Sequence, residues 1–253
     1  MSINVRNLTF GYSKEVTVLR DINLEIQQGE FVLLIGQNGA GKSTFLKLLN
    51  GILKPHSGSI HVNGLETTVT PTSKLAAHIA VTFQNPADQI FASTVRDEVL
   101  FGPKILGKPN PVNLTEQSLA LFRMTDVASK HPYDLPPAQR KLLTIASAVA
   151  SDASILAFDE PSASLSQTER LILLNGLGEL RKANKTLMVV SHDLDVFVPL
   201  ATRMIILSEG RIVHDGKPVD IVTHAGLARS AGLRLPLLLR LKRMVPAGLQ
   251  EWN

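Results

Sequence analysis

The sequence predicts an α/β fold built on a parallel sheet, from three observations. Five short apolar, β-branched runs, Phe31–Ile35, Ile79–Phe83, Ile155–Phe158, Leu187–Val190 and Met204–Leu207, are separated for the most part by stretches of helical period. A glycine-rich turn follows the first run directly. Acidic side chains follow the third, and a histidine follows the fourth. Uninterrupted apolar runs of this length are what strands buried on both faces require.

The first thirty residues differ. Val5–Phe10 and Ile22–Ile26 alternate polar with apolar, the pattern of antiparallel strands with one wet face, so a β-rich flap precedes the parallel core. Between Gln84 and Ala153 strand signals nearly vanish. Helical stretches at Thr115–Ser129 and Gln139–Ala150 are expected there, broken by Pro103, Pro109, Pro111, Pro132, Pro136 and Pro137, and the segment reads as a helical insertion. After Asp215 comes a Leu- and Arg-rich tail in which Leu227–Met244 has amphipathic helical character. No internal repeat or low-complexity tract is evident.

Composition narrows the function classes. The 253 residues are 44% hydrophobic and 19% charged, the balance of a chain that folds around a core. A net charge of +4, spread along the chain, lacks the dense basic stripe of a nucleic-acid binder, so no nucleic-acid partner is expected. With no cysteine, disulfides and thiolate metal sites are excluded. Met1–Phe10 does not read as a signal peptide, and the chain is expected to stay inside the cell. No window approaches the ~20 apolar residues that cross a bilayer; a membrane role therefore calls for a partner.

The chemistry concentrates in three places. Gly36-Gln37-Asn38-Gly39-Ala40-Gly41-Lys42-Ser43 matches G-x-x-x-x-G-K-[ST], between the apolar run Phe31–Ile35 and the helical stretch Thr44–Leu49. In that context glycine lets backbone N–H groups converge on phosphate oxygens, Lys42 supplies a point charge for the β- and γ-phosphates, and the Ser43 hydroxyl can ligate Mg²⁺. Ile155–Phe158 ends in Asp159-Glu160, which places two carboxylates at the sheet's C-terminal edge, where ligands of open α/β sheets bind. Asp159 can there reach Mg²⁺ and Glu160 can polarise an attacking water; the plainer alternative is two acids capping a helix. Leu187–Val190 ends in Ser191-His192-Asp193, which brings an imidazole to the same edge, for contact with the γ-phosphate or the water.

The ordered set Gly36–Ser43, Gln84, Asp159-Glu160 and His192 resembles an ATP-binding-cassette (ABC) ATPase over about the first 215 residues. The resemblance implies a nucleotide-binding domain at 1–215 of the P-loop NTPase class, with a RecA-like core, an antiparallel β subdomain and a helical subdomain at about 85–153. Residues 216–253 would form a short C-terminal helical extension. It further implies ATP and Mg²⁺ as ligands, the loop through Thr44 as the phosphate site, and Tyr12 stacked on adenine. Gln84 would sense Mg²⁺ and the attacking water while linking to a transmembrane partner, and two subunits would sandwich two ATP molecules.

Phe83-Gln84-Asn85-Pro86-Ala87-Asp88-Gln89-Ile90-Phe91, with Thr94-Val95-Arg96-Asp97-Glu98-Val99 and Phe101-Gly102-Pro103, is similar to the ATPases of energy-coupling-factor (ECF) transporters for vitamins and metal ions. That likeness implies a peripheral protein on the cytoplasmic face of the cell membrane. Its partners would be a transmembrane coupling protein, whose helices lie in a groove near Ile90 and Phe91, and a substrate-binding membrane protein. Gly232–Pro236 resembles the C-terminal extension of that group, as a lid or as a dimer contact.

Two departures stand out. The family's signature loop, Leu-Ser-Gly-Gly-Gln, reads Leu135-Pro136-Pro137-Ala138-Gln139, which removes a hydroxyl and a backbone N–H and adds a Cβ where backbone should approach phosphate. Where the family has Leu-Asp after the second acid, this chain has Leu165-Ser166. Both departures fall in elements that serve the opposite subunit's nucleotide. The pattern points to an asymmetric heterodimer with a second, different ABC ATPase. The alternatives are an ATP-dependent dimerisation switch with little hydrolysis, or a soluble ABC protein.

Overall fold

The computed structural model describes residues 2–13 and 15–219; the expected tail elements Leu227–Met244 and Gly232–Pro236 lie outside the described residues. In chain order the elements are β1 (Ile3–Gly11), β2 (Thr17–Ile26), β3 (Phe31–Ile35), α1 (Lys42–Leu49), β4 (Ser57–Val62), β5 (Leu65–Glu66), α2 (Thr72–Leu75) and β6 (Ile79–Thr82). They continue as α3 (Val95–Ile105), α4 (Pro111–Leu121), α5 (Pro137–Ala150), β7 (Ile155–Asp159), α6 (Gln167–Lys182), β8 (Thr186–Val190), α7 (Leu194–Phe197), β9 (Arg203–Ser208) and β10 (Arg211–Gly216).

All five apolar runs are strands of one six-stranded sheet, ordered β10-β9-β3-β8-β7-β6. Its pairings are parallel from β9 to β6 and antiparallel only at the β9–β10 edge. β3 shows why such runs lack alternation. Phe31, Leu33 and Ile35 face one hydrophobic core with the helices, while Val32 and Leu34 face a second core with α1 and the antiparallel strands. The flap is a four-stranded antiparallel sheet, β2-β1-β4-β5. Ile22, Leu24 and Ile26 are buried and Asn23 and Glu25 exposed, as the alternation predicts. β4 and β5 were not legible, because Ser57-Gly58-Ser59 opens β4 with small polar residues.

No strand lies between Gln84 and Ala153, as expected, but the helix limits differ from the expectation. The helix expected at Thr115–Ser129 runs instead from Pro111 to Leu121. Proline starts it, since at the first helical position its missing N–H has no intrahelical acceptor to lose. It stops in a Schellman-type turn: Met124 N donates to Leu119 O (2.8 Å) and Arg123 N to Ala120 O (3.1 Å), with Arg123 at φ 55°. An arginine in the left-handed slot that glycine usually fills leaves no stop signal in the sequence. Pro137 likewise starts α5 rather than breaking it, and Pro103 sits inside the last turns of α3.

The helical layer packs on α6 at one tight point, where the fully buried Phe122 ring lies against Gly176; a Cβ at 176 would come within 2.7 Å of that ring. Phe122→Ala removes this filling and should lower stability by about 3–5 kcal/mol, read as a drop in the denaturant midpoint with little change in slope.

Candidate active site

The loop after β3 is shaped by its glycines at two points. A Cβ on Gly36 would sit 2.1 Å from the Leu207 carbonyl oxygen, and Gly41, at φ 103°, would meet Leu19 at 2.7 Å. Gly41 is the N-cap of α1, so the first-turn amides of Lys42, Ser43 and Thr44 have no intrahelical acceptor and form an anion-binding helix start. Lys42 Nζ donates to the carbonyls of Gly36 (2.7 Å) and Gln37 (2.9 Å). Burial lowers its pKa, opposed by the negative fields of Glu160 and Asp159.

Asp159, the last residue of β7, is 3% exposed. Burial raises its pKa and the charge of Glu160 adds to this, while a hydrogen bond from the Ser43 side chain and the charges of Lys141 and Lys42 pull it down. Glu160 leaves the strand at φ 47°, in the left-handed region, a strain of about 1–3 kcal/mol that surrounding bonds must hold. Its amide donates to Val190 O at 2.8 Å; Ser191 Oγ donates to Oε2 at 3.2 Å, and His192 Nδ1 lies 2.8 Å from Oε1. With the carboxylate as acceptor, Nδ1 carries the proton and Nε2 remains available towards the cleft. The helix-capping alternative for the two acids is therefore wrong: α6 starts at Gln167, capped by Ser166.

These residues converge. Tyr12, Asn38, Gly39, Gly41, Lys42, Ser43, Thr44, Gln84, Asp159, Glu160 and His192 line a single cleft of about 500 Å³, joined by Val18 and Ala163. Gly36, Gln37 and Ala40 complete the loop without lining the cleft. Tyr12 lies edge-on to Phe10, with ring centroids 5.2 Å apart, and its hydroxyl is 3.1 Å from Thr44 Oγ1, which fixes an exposed ring at the cleft mouth.

Two residues escaped the sequence reading. Ser191, fully buried, orients Glu160. Lys141 is 2% exposed, and its Nζ donates to the carbonyls of Gln84 (2.8 Å), Phe83 (3.1 Å) and Asp159 (3.2 Å). The available signal was a lysine four residues before Ile145, in phase with the buried stripe of α5.

Around the cleft, Phe91 and Phe101 stack edge to face (4.7 Å) and remain exposed beside Ile105, in a cavity of about 370 Å³ that also reaches Phe83 and Gln89. Ile90 does not join them; it is buried in the helical core. At the start of α5, Pro136 occupies the N-cap with no side-chain hydrogen bond and Pro137 the first helical position, so neither offers an N–H. Ser166 is committed within the chain, in a reciprocal capping box with Glu169.

A family model described as "ABC transporter" matches residues 19–163, the span from β2 through the loop, the two acids and Ala163. The chain belongs to the ABC transporter ATPase family. It binds ATP, and it is an ATPase whose hydrolysis is coupled to transport. It is 36% identical over 238 residues to the energy-coupling factor transporter ATP-binding protein EcfA of Methanothermobacter thermautotrophicus, covering 92% of this chain and 76% of that one. It is 34% identical over 260 residues to EcfA2 of Clostridium tetani, covering 96% and 88%. Among solved structures it is similar to CbiO1 from Clostridium perfringens, described as part of the ABC transporter complex CbiONQ, with a TM-score of 0.79, 28% identity and coverage of 95% and 98%. Among the described residues, no helix of this ABC ATPase is long and apolar enough to cross a membrane.

The Lys141 ammonium carries a stability signature. Burial pushes its pKa down to about 8, against the opposing fields of Asp159 and Glu160, from an ordinary value of 10.5. Between those two pH values the unfolded chain holds a proton that the folded chain has released, so this group makes stability rise with pH there. The difference in denaturation midpoint between the wild type and Lys141→Met should therefore shift in favour of the wild type from pH 7.5 to pH 9.5.

Proposed function

We propose that this chain is the ATP-hydrolysing subunit of an ECF-type importer for a vitamin or a metal ion, working on the cytoplasmic face of the membrane in a heterodimer with a different ABC ATPase. The observation that carries this reading is the polarity of the site. The catalytic and metal-holding groups that would act on the chain's own nucleotide line one cleft, while in the elements that would serve the opposite subunit Pro136 and Pro137 offer no N–H and Ser166 spends its hydrogen bonds on Glu169.

In this reading Tyr12 stacks on adenine, the amides from Gly39 to Thr44 hold the β- and γ-phosphates, and Lys42 moves its charge from the loop carbonyls to the phosphates. Mg²⁺ would be held by Ser43, Asp159 and Gln84, and when bound it neutralises charge on the phosphate oxygens. The site suits a cation. Asp159 is a nearly buried carboxylate whose ionised form is disfavoured by burial, with the Ser43 hydroxyl close by. Glu160, held by Ser191 and His192, aligns and polarises the attacking water; His192 Nε2 meets the γ-phosphate or that water.

The domain limits proposed are an ATPase unit at 1–215, with its helical subdomain at about 85–153, and an extension at 216–253. The exposed Phe91–Phe101 pair beside Ile105 forms the floor of the groove for a transmembrane coupling protein, which in turn serves a substrate-binding membrane protein. The ECF names of the relatives support this membrane assembly.

A nucleotide-driven dimerisation switch is the second reading, favoured by the proline-blocked start of α5. The two separate in the assembled transporter. Glu160→Gln here should lower ATP turnover by about 10²-fold or more, while the equivalent change in the partner ATPase should cost far less; turnover unaffected by Glu160→Gln would establish the switch.

The isolated chain is expected to bind ATP yet hydrolyse it poorly, because each donor missing from a transition-state site costs about 10²–10³-fold. Robust cooperative hydrolysis by the purified chain would rule out the heterodimer requirement. Replacing Pro136-Pro137-Ala138 with Ser-Gly-Gly should raise that rate, as measured by phosphate release, unless Ser166 is itself limiting.

A further inference from the structure

Three segments of different origin meet at Lys141. Phe83 and Gln84 leave the end of β6, Asp159 ends β7, and Lys141 itself lies in the second turn of α5, five residues after Pro136. An ammonium has three donors, and here three backbone carbonyls accept from it at 2.8–3.2 Å. None of the three carbonyls spends these bonds on its own element. The lysine is thus a cross-brace at the joint where the helical layer leaves and rejoins the sheet, and two of the three braced residues, Gln84 and Asp159, carry side chains into the cleft.

A lysine is costly to bury, because its charge is desolvated, and a purely structural joint could be filled by an apolar side chain of similar volume. What the ammonium adds is a fixed distance between the N-terminal half of α5 and the two cleft-lining segments. We propose that Lys141 is a positioning residue for ATP hydrolysis: by clamping the carbonyls of Phe83, Gln84 and Asp159 to α5, it sets where the Gln84 side chain and the Asp159-Glu160 pair stand relative to the nucleotide. It touches no nucleotide itself and acts through those residues. This rests on the reading of the cleft as the hydrolytic site.

The test uses the assembled transporter with Lys141→Met, Lys141→Arg and Glu160→Gln in this chain. Steady-state ATPase gives kcat, and a fluorescent ATP analogue gives nucleotide affinity. Lys141→Met is expected to lower kcat at least tenfold with affinity within threefold of wild type. Lys141→Arg keeps a charge and several donors and should recover at least a third of the wild-type rate. The proposal is overturned if Lys141→Met keeps kcat within twofold, if it loses affinity in proportion to rate, as a folding defect would, or if Lys141→Arg is no better than Lys141→Met. Glu160→Gln separates the two levels. If it leaves turnover intact the cleft reading itself fails; if it abolishes turnover while Lys141→Met does not, only the brace fails.

Discussion

The parallel register of β3, β8 and β7 is the constraint on which the site depends. Leu34 pairs with Val190, and Val190 with Asp159, so three strands reach the same edge of the sheet in one row. The residues that follow that row are the phosphate loop after β3, Ser191-His192 after β8 and Glu160 after β7. Main-chain bonds extend the register one step beyond the sheet: Ser191 N donates to Leu34 O and Glu160 N to Val190 O. A slip of one residue would turn each of these side chains to the opposite face of the sheet. The rigidity comes from burial on both sides, since β3, β7 and β8 are buried at every position.

Electrostatics in the cleft are balanced rather than neutral. Lys42, at the cleft wall, and Lys141, behind it, both feel the carboxylates Asp159 and Glu160, whose fields oppose the lowering of each lysine's pKa by burial. Lys42 reaches the cleft from the loop, while Lys141 is occupied from behind by main-chain carbonyls. The two lysines thus divide the work of facing a polyanionic ligand and bracing the frame that presents the acids.

The contrast between the cleft and the start of α5 has a simple local origin. Proline at the N-cap and first helical positions is well suited to beginning a helix, because its fixed φ is preorganised and its missing N–H costs no intrahelical bond. That same absence removes donors from a helix start, where anions are otherwise bound. Helix formation is thus preserved in α5 while its tip offers fewer N–H donors to an anion. Ser166 follows the same pattern: it makes a good cap for α6 and spends its hydrogen bonds within the chain.

The sequence by itself determined the five parallel strands of the core sheet, the two alternating strands of the flap, the phosphate loop and the identity of Asp159, Glu160 and His192, because these are written in local patterns: runs, alternation, and residue types placed directly after strands. Helix limits were less legible. The end of α4 rests on Arg123 in a conformation that glycine normally signals, and the starts of α4 and α5 use prolines that read as breaks. Only the tertiary structure decided that Ser191 orients Glu160, that Ile90 is core while Phe91 is surface, and that Lys141 joins three segments. The bonds of Ser191 and Lys141 join residues 18 to 58 positions apart in the chain, and no local period records a contact across such distances.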